Sequence, residues 1–235
     1  MRKDIKLETD NNFLIYWTLD TINSNRLIIF VHWFTGNKNE HHYFNAVPFF
    51  NKKWFDTFRF DFYSGNPNAK SLSNCSLSEH SKDLELVIEN FKNDYQEIIL
   101  VGHSLWPLSI LKANLSNISK LIFWDPTTKL SDLWEKDGVY NEKIDKYIFS
   151  WNIDFLVDKQ MIEEWKSINI PKLMNKLTIP CSIIFAGAYN KHKLRKPILK
   201  ETNTEIKSVI IPWASHGFVE EWTELKLFEE TLKLL

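Results

Sequence analysis

Three segments of this 235-residue chain carry residue types that together could perform nucleophilic acyl chemistry. In one, the apolar run Ile98-Ile99-Leu100-Val101 leads into Gly102-His103-Ser104-Leu105. A serine on a tight strand-to-helix turn projects its hydroxyl beyond the end of a sheet, as a nucleophile must. The turn needs small residues two before and two after the serine. Gly102 meets the first need and Trp106 violates the second. A serine hydroxyl is a weak nucleophile and requires a base oriented by a third group. His216 has the right placement for that base: it follows the apolar run Ser208-Val209-Ile210-Ile211 and precedes an amphipathic C-terminal stretch. The third segment, residues 27–36, is an apolar run and a loop whose backbone N–H groups could receive oxyanion charge. His32 in that loop reads as a buttress. The remaining histidines, His41, His42, His80 and His192, lack metal-ligand spacing. They read as surface residues, and neither a metal nor a cofactor is expected.

Elements must hold these residues at one end of a sheet. Short continuous runs of Ile, Leu, Val and Phe at 13–17, 27–31, 57–62, 98–101, 121–124, 182–185 and 208–211 suit strands buried on both faces. Helical patterns lie between them at 78–91, 106–115 and 219–234. In the first of these, Leu84, Val87, Ile88 and Phe91 share one face. Alternating strands and helices predict an α/β fold with a mostly parallel central sheet flanked by helices. An early hairpin over 5–18 would add antiparallel strands at one edge. Residues 129–176 break the alternation and are rich in charge and aromatics. They read as a small helical lid inserted into a core made of residues 1–128 and 177–235.

Composition narrows the functional classes. Twenty-nine basic and 30 acidic residues leave a net charge of -1, without the positive field that nucleic acid or an anionic membrane would favour. No apolar run approaches the roughly 18 to 20 residues of a membrane span. Cys75 and Cys181 are too few for a disulfide framework, and the polar start Met1-Arg2-Lys3-Asp4-Ile5-Lys6 lacks the apolar core of a secretory signal. A cytoplasmic protein is the expectation.

In their order, the loop with Phe34-Thr35-Gly36, the serine turn and the late histidine make the chain resemble the α/β-hydrolases over nearly its whole length. The branch it looks most like is the small intracellular serine esterases, including cinnamoyl and feruloyl esterases, with their His-Gly-Phe-Thr-Gly loop. Residues 58–63 also look like that branch's strand into its Asp-Phe turn. The resemblance implies Ser104 as nucleophile and His216 as base. It implies an oxyanion hole from the N–H groups of Phe34 and Leu105, and a lid at 129–176. It leaves the acid open. The usual acid position, after the strand before last, is Asn190 here. Asp125, after the preceding strand, is the alternative, and its competing role is a turn cap. Asp154 and Asp158 are weaker candidates.

The departures from the family pattern share one form. Glycine is usual in the family where this chain has Trp33, Trp106 and Trp213, and common at Trp54 and near Trp17. The chain holds 6 glycines and 10 tryptophans, where average usage would give roughly 16 glycines. A single cause accounts for both counts and for the positions: UGA codons that specify glycine, read as tryptophan. The rival causes are divergence into an inactive relative with tryptophans filling a former pocket, and deliberate substitution.

The function expected is therefore cleavage of small carboxylic esters through an acyl-enzyme, with an apolar or aromatic group favoured by the insertion's aromatics. The alternative is an inactive protein of the same fold that binds a small ligand or a partner.

Overall fold

The computed structural model describes the chain except residues 106, 129–136, 151–152, 189–191 and 203–204, and the side chains of Ile5 and Leu194. Its centre is an eight-stranded sheet. The strands are β1 (Arg2–Glu8), β2 (Leu14–Asp20), β3 (Arg26–Val31), β4 (Asp56–Phe60), β5 (Glu97–His103), β6 (Lys120–Trp124), β10 (Cys181–Ala186) and β11 (Lys207–Ile211). They lie in the order β1-β2-β4-β3-β5-β6-β10-β11. β1 and β2 pair antiparallel with each other, β2 pairs antiparallel with β4, and the other pairings are parallel. The central parallel strands β3, β5, β6 and β10 are mostly apolar on both faces because helices cover both, whereas β4 buries Asp56, Thr57 and Arg59. Ile99 and Leu100, successive on β5, are each fully buried toward opposite sides.

On one face lie α2 (Leu77–Phe91) and α3 (Pro107–Lys112), and on the other α1 (His41–Asn51) and α7 (Thr223–Leu234). α2 begins at a reciprocal cap. The Glu79 N–H donates to Ser76 Oγ at 3.1 Å, and the Ser76 N–H donates to Glu79 Oε2 at 2.9 Å. Its apolar stripe ends on Phe91, whose ring packs 4.8 Å from that of Phe58 on β4. α1 falls outside the stretches that periodicity singles out, because Pro48 interrupts the pattern; the helix carries it near its C-terminal end.

Two sequence expectations are corrected. The insertion is not wholly helical. It holds a three-stranded antiparallel sheet of β7 (Gly138–Asn141), β8 (Lys146–Ser150) and β9 (Asp154–Asp158), then helices α4 (Lys159–Ser167) and α5 (Ile170–Met174). Aromatic and β-branched residues alternate here with period two. Phe149, Phe155 and Val157 face inward, while Val139 and Leu156 face solvent. Asp158 caps α4 by accepting the Gln160 N–H, and pairs with Lys146.

Nor are His42 and His80 surface residues, since both are fully buried. Each lies on the inward face of its helix. His80 stacks on Phe62 at 4.4 Å, and His42 packs against Tyr43, Trp33 and His103.

Two contrasting groups stand out among the described tryptophans. Trp17, Trp124 and Trp165 are core residues, and the Trp124 indole N–H donates to Thr231 Oγ1 at 2.9 Å. Trp54 and Trp213 are 70% and 78% exposed and sit at φ 63° each, in the left-handed region. Trp54 closes α1 in a Schellman motif: its N–H donates to the Asn51 carbonyl, and the next N–H, of Phe55, donates to the Phe50 carbonyl. That is the position where helices most often place glycine. No glycine of the chain has positive φ.

Candidate active site

β5 ends at the centre of the sheet, beside β3, where strand order reverses. In open α/β sheets the crevice beyond the strand ends at such a point is where ligands bind. Ser104 follows β5 directly and stands at φ 62°. The turn is tight because Gly102 lets α3 approach: a Cβ there would stand 2.6 Å from Ile110 Cδ1. The elbow is tied to the neighbouring strand end. The Ser104 N–H donates to the Trp124 carbonyl at 3.0 Å, and the Thr127 N–H donates to the Ser104 carbonyl at 2.7 Å. These bonds bring the loop after β6 alongside the serine. Trp106 lies outside the described residues.

Three side chains then form a chain of hydrogen bonds. Ser104 Oγ lies 2.8 Å from His216 Nε2, and His216 Nδ1 lies 2.6 Å from Asp125 Oδ2. A carboxylate only accepts, so Nδ1 carries the proton and Nε2 is free to receive the serine's. Asp125, fully buried at φ 42°, is held by two hydrogen bonds to the neighbouring strand β10. Its N–H donates to the Ile184 carbonyl at 2.7 Å, and Asp125 Oδ1 accepts the Ala186 N–H at 3.1 Å. A guanidinium that sequence reasoning missed also reaches Oδ2, that of Arg195 on helix α6 (His192–Arg195). Its approach depends on the path of the chain after β10, which no local pattern reveals. Asn190, the other candidate acid, lies outside the described residues.

His216 is supported from behind. Its carbonyl accepts from His103 Nε2 at 2.8 Å, so that nitrogen carries the His103 proton. His103 Nδ1 then accepts from His42 Nε2 at 3.3 Å. Burial pushes the pKa of both His42 and His103 well below the ordinary histidine value, which keeps this relay neutral.

The loop after β3 faces the elbow. Its buttress is His32, fully buried. His32 Nδ1 donates to the Trp33 carbonyl at 2.8 Å, and Nε2 accepts the Phe62 N–H at 3.2 Å. Burial also lowers the His32 pKa, with the Trp33 carbonyl acting in the opposite sense. The Trp33 ring packs 4.9 Å from both His42 and His103. It leaves no room for a side chain at Gly36, where a Cβ would stand 2.1 Å from Trp33 Cδ1. The buried Phe34 ring meets Phe155 at 5.5 Å and Trp165 at 5.3 Å, so the insertion lies against the loop after β3. The Leu105 N–H donates to no acceptor among the described residues. Among those residues no group of three or more His, Cys, Asp or Glu could hold a metal ion, and no helix is long and apolar enough to cross a membrane.

No family profile matches this sequence. No curated protein matches it. Solved structures do match, over nearly the whole chain. Est1E from Butyrivibrio proteoclasticus, solved with ferulic acid bound, superposes with TM-score 0.80 at 18% identity, covering 98% of each chain. Mouse alpha/beta hydrolase domain-containing protein 10 gives 0.78 at 16% identity, covering 99% of this chain and 98% of that one. The esterase domain of a Rhodothermus marinus protein gives 0.75 at 14% identity, covering 98% and 96%. With its strand order, its parallel core and these neighbours, the chain has the α/β-hydrolase fold.

Proposed function

We propose that this chain is a serine hydrolase that cleaves small carboxylic esters through an acyl-enzyme. The observation that carries the reading is the continuous line Ser104–His216–Asp125 at 2.8 and 2.6 Å. As Ser104 Oγ attacks the ester carbonyl carbon, its proton passes to His216 Nε2, and Asp125 stabilises the imidazolium. The oxyanion takes hydrogen bonds from the Phe34 and Leu105 amides. Collapse breaks the bond to the alcohol, which leaves with the proton from His216. Water, deprotonated by the same nitrogen, then attacks the acyl carbon and releases the carboxylic acid and Ser104.

The insertion acts as a lid, and Phe34, Phe155 and Trp165 favour an aromatic or apolar group. Ferulic acid in the Est1E structure supports an aromatic acid as the acyl part. The two buried free cysteines support a reducing, cytoplasmic setting.

A second reading, an inactive protein of this fold that binds a ligand or partner, is favoured by Trp33, whose ring crowds the wall of the oxyanion loop. Hydrolysis of a short-chain nitrophenyl ester, together with labelling by a fluorophosphonate, separates the two. Turnover and labelling that vanish in Ser104→Ala support the hydrolase. Neither activity in the parent chain supports the binding protein.

A further inference from the structure

Asp125 Oδ2 serves two donors. His216 Nδ1 reaches it at 2.6 Å, and Arg195 Nη1 reaches the same oxygen. The two donor nitrogens lie 3.3 Å apart, too close for their charges to be independent. The other carboxylate oxygen is occupied by the Ala186 N–H. We infer that Arg195 is a positioning residue of this triad: it clamps Asp125 and holds His216 in its neutral, proton-accepting form.

The physical reason is competition for one negative charge. A carboxylate beside an imidazole favours the imidazolium, and a cation beside it disfavours the imidazolium. Arg195 does the second directly, across 3.3 Å, and weakens the first by pairing with the same oxygen. Burial lowers the Arg195 pKa to about 10, so the guanidinium remains charged at neutral pH.

The other groups facing His216 do not replace this effect. Ser104 is neutral, and His103 and His42 behind it are kept neutral by burial. Glu220 is engaged by the Ser215 N–H on the far side of the turn. Among the described residues, Asp125 and Arg195 are the charged groups within hydrogen-bond distance of His216. An enzyme so arranged keeps its base ready at lower pH than a His–Asp pair alone.

The catalytic meaning of this inference rests on the serine-hydrolase reading, but its test does not need turnover. In the full chain with isotope-labelled histidine, the His216 ring resonance is assigned by its loss in His216→Gln and followed by NMR against pH. In Arg195→Gln the titration midpoint rises by about one pH unit. Arg195→Met, a second neutral replacement, gives the same rise, and Arg195→Lys keeps the parent midpoint. The acid limb of kcat/KM for ester hydrolysis moves with the NMR midpoint. A His216 midpoint that is the same in both neutral variants as in the parent overturns the inference. A parent chain without Ser104-dependent turnover overturns the hydrolase reading instead, and the NMR midpoints still decide the role of Arg195.

Discussion

The Tyr63 hydroxyl accepts the Thr35 backbone N–H at 2.8 Å, and Thr35 stands at φ 66° beside Phe34. It is one of three bonds by which the segment after β4 staples the loop after β3. Asp61 Oδ1 accepts the Lys38 N–H at 2.7 Å, and the Phe62 N–H donates to His32. In the proposed mechanism the Phe34 amide must point at a developing oxyanion, and these three bonds hold the path of its loop.

Tyr63→Phe removes one acceptor and leaves the Thr35 N–H without it. Thr35 is exposed, so water can take its N–H, and we expect a loss of about 0.5–1.5 kcal/mol in stability, the net worth of one hydrogen bond. We also expect a fall of about tenfold in ester turnover, mainly in kcat, because the oxyanion donors act in the transition state. Unfolding and steady-state kinetics on the same preparation check both. A variant with unaltered kcat would show that the oxyanion loop holds its shape without Tyr63.

Asp125→Asn keeps the shape of the acid and removes its charge. In serine proteases the equivalent change costs about ten-thousandfold in turnover. Here the asparagine also leaves the Arg195 guanidinium beside His216 without its counter-charge, so we expect a loss at least that large at neutral pH. Measured nitrophenyl ester hydrolysis within about tenfold of the parent would mean that another residue supplies the acid.

Four histidines, His32, His42, His80 and His103, are buried with pKa values lowered by desolvation. The unfolded chain binds protons at these sites near the ordinary value of about 6.5, and the folded chain resists them. Stability is then fully present above about pH 6.5 and falls as the pH drops below it. Each histidine contributes a slope of at most about 1.4 kcal/mol per pH unit. Denaturant unfolding between pH 8 and 5 should show this fall. In His80→Phe, which keeps a ring against Phe62, the fall should be shallower by one proton's worth. Stability independent of pH over that range would contradict the assignment of buried neutral histidines.

Trp54 and Trp213 pay for left-handed backbone while their rings lie in solvent. Left-handed φ costs an ordinary residue roughly 1–2 kcal/mol, and glycine next to nothing. Trp54→Gly and Trp213→Gly should therefore each stabilise the chain by about 1 kcal/mol, raising the unfolding temperature by about 2–4 °C. The same substitution at the buried Trp124 or Trp165 should destabilise it by several kcal/mol through lost packing. If the glycine-specifying codon is the cause, the gene carries UGA at these two positions, and protein from its source has an intact mass below that of the written sequence. UGG codons there would refute that cause and leave the strain unexplained.

Much of the fold was legible because strands buried on both faces need continuous apolar runs, as at Ile98-Ile99-Leu100-Val101 and Ser182-Ile183-Ile184-Phe185. The insertion is less legible, because its apolar runs are short. Tyr147-Ile148-Phe149 suits a strand or a buried helix, and only cross-strand pairing with Phe155 and its neighbours decides between them. His42 and His80 looked polar in sequence. Their burial follows from which face of each helix meets the sheet.

Ser104 and His216, which the structure brings within 2.8 Å of each other, could be singled out from the sequence because each sits in a short segment whose neighbours, an apolar run and a turn, announce its place. The acid could not. Asp125 meets His216 across 91 positions of chain because β6 lies between β5 and β10, a neighbourhood that exists only once the sheet has assembled. Arg195 meets Asp125 across 70 positions for the same reason. The strand pattern and the local settings of Ser104 and His216, the residues proposed as nucleophile and base, are properties of short segments and are readable from the sequence alone. The tertiary structure decided which carboxylate completes the line and which cation braces it, because electrostatic partners are chosen by distance in space and not along the chain.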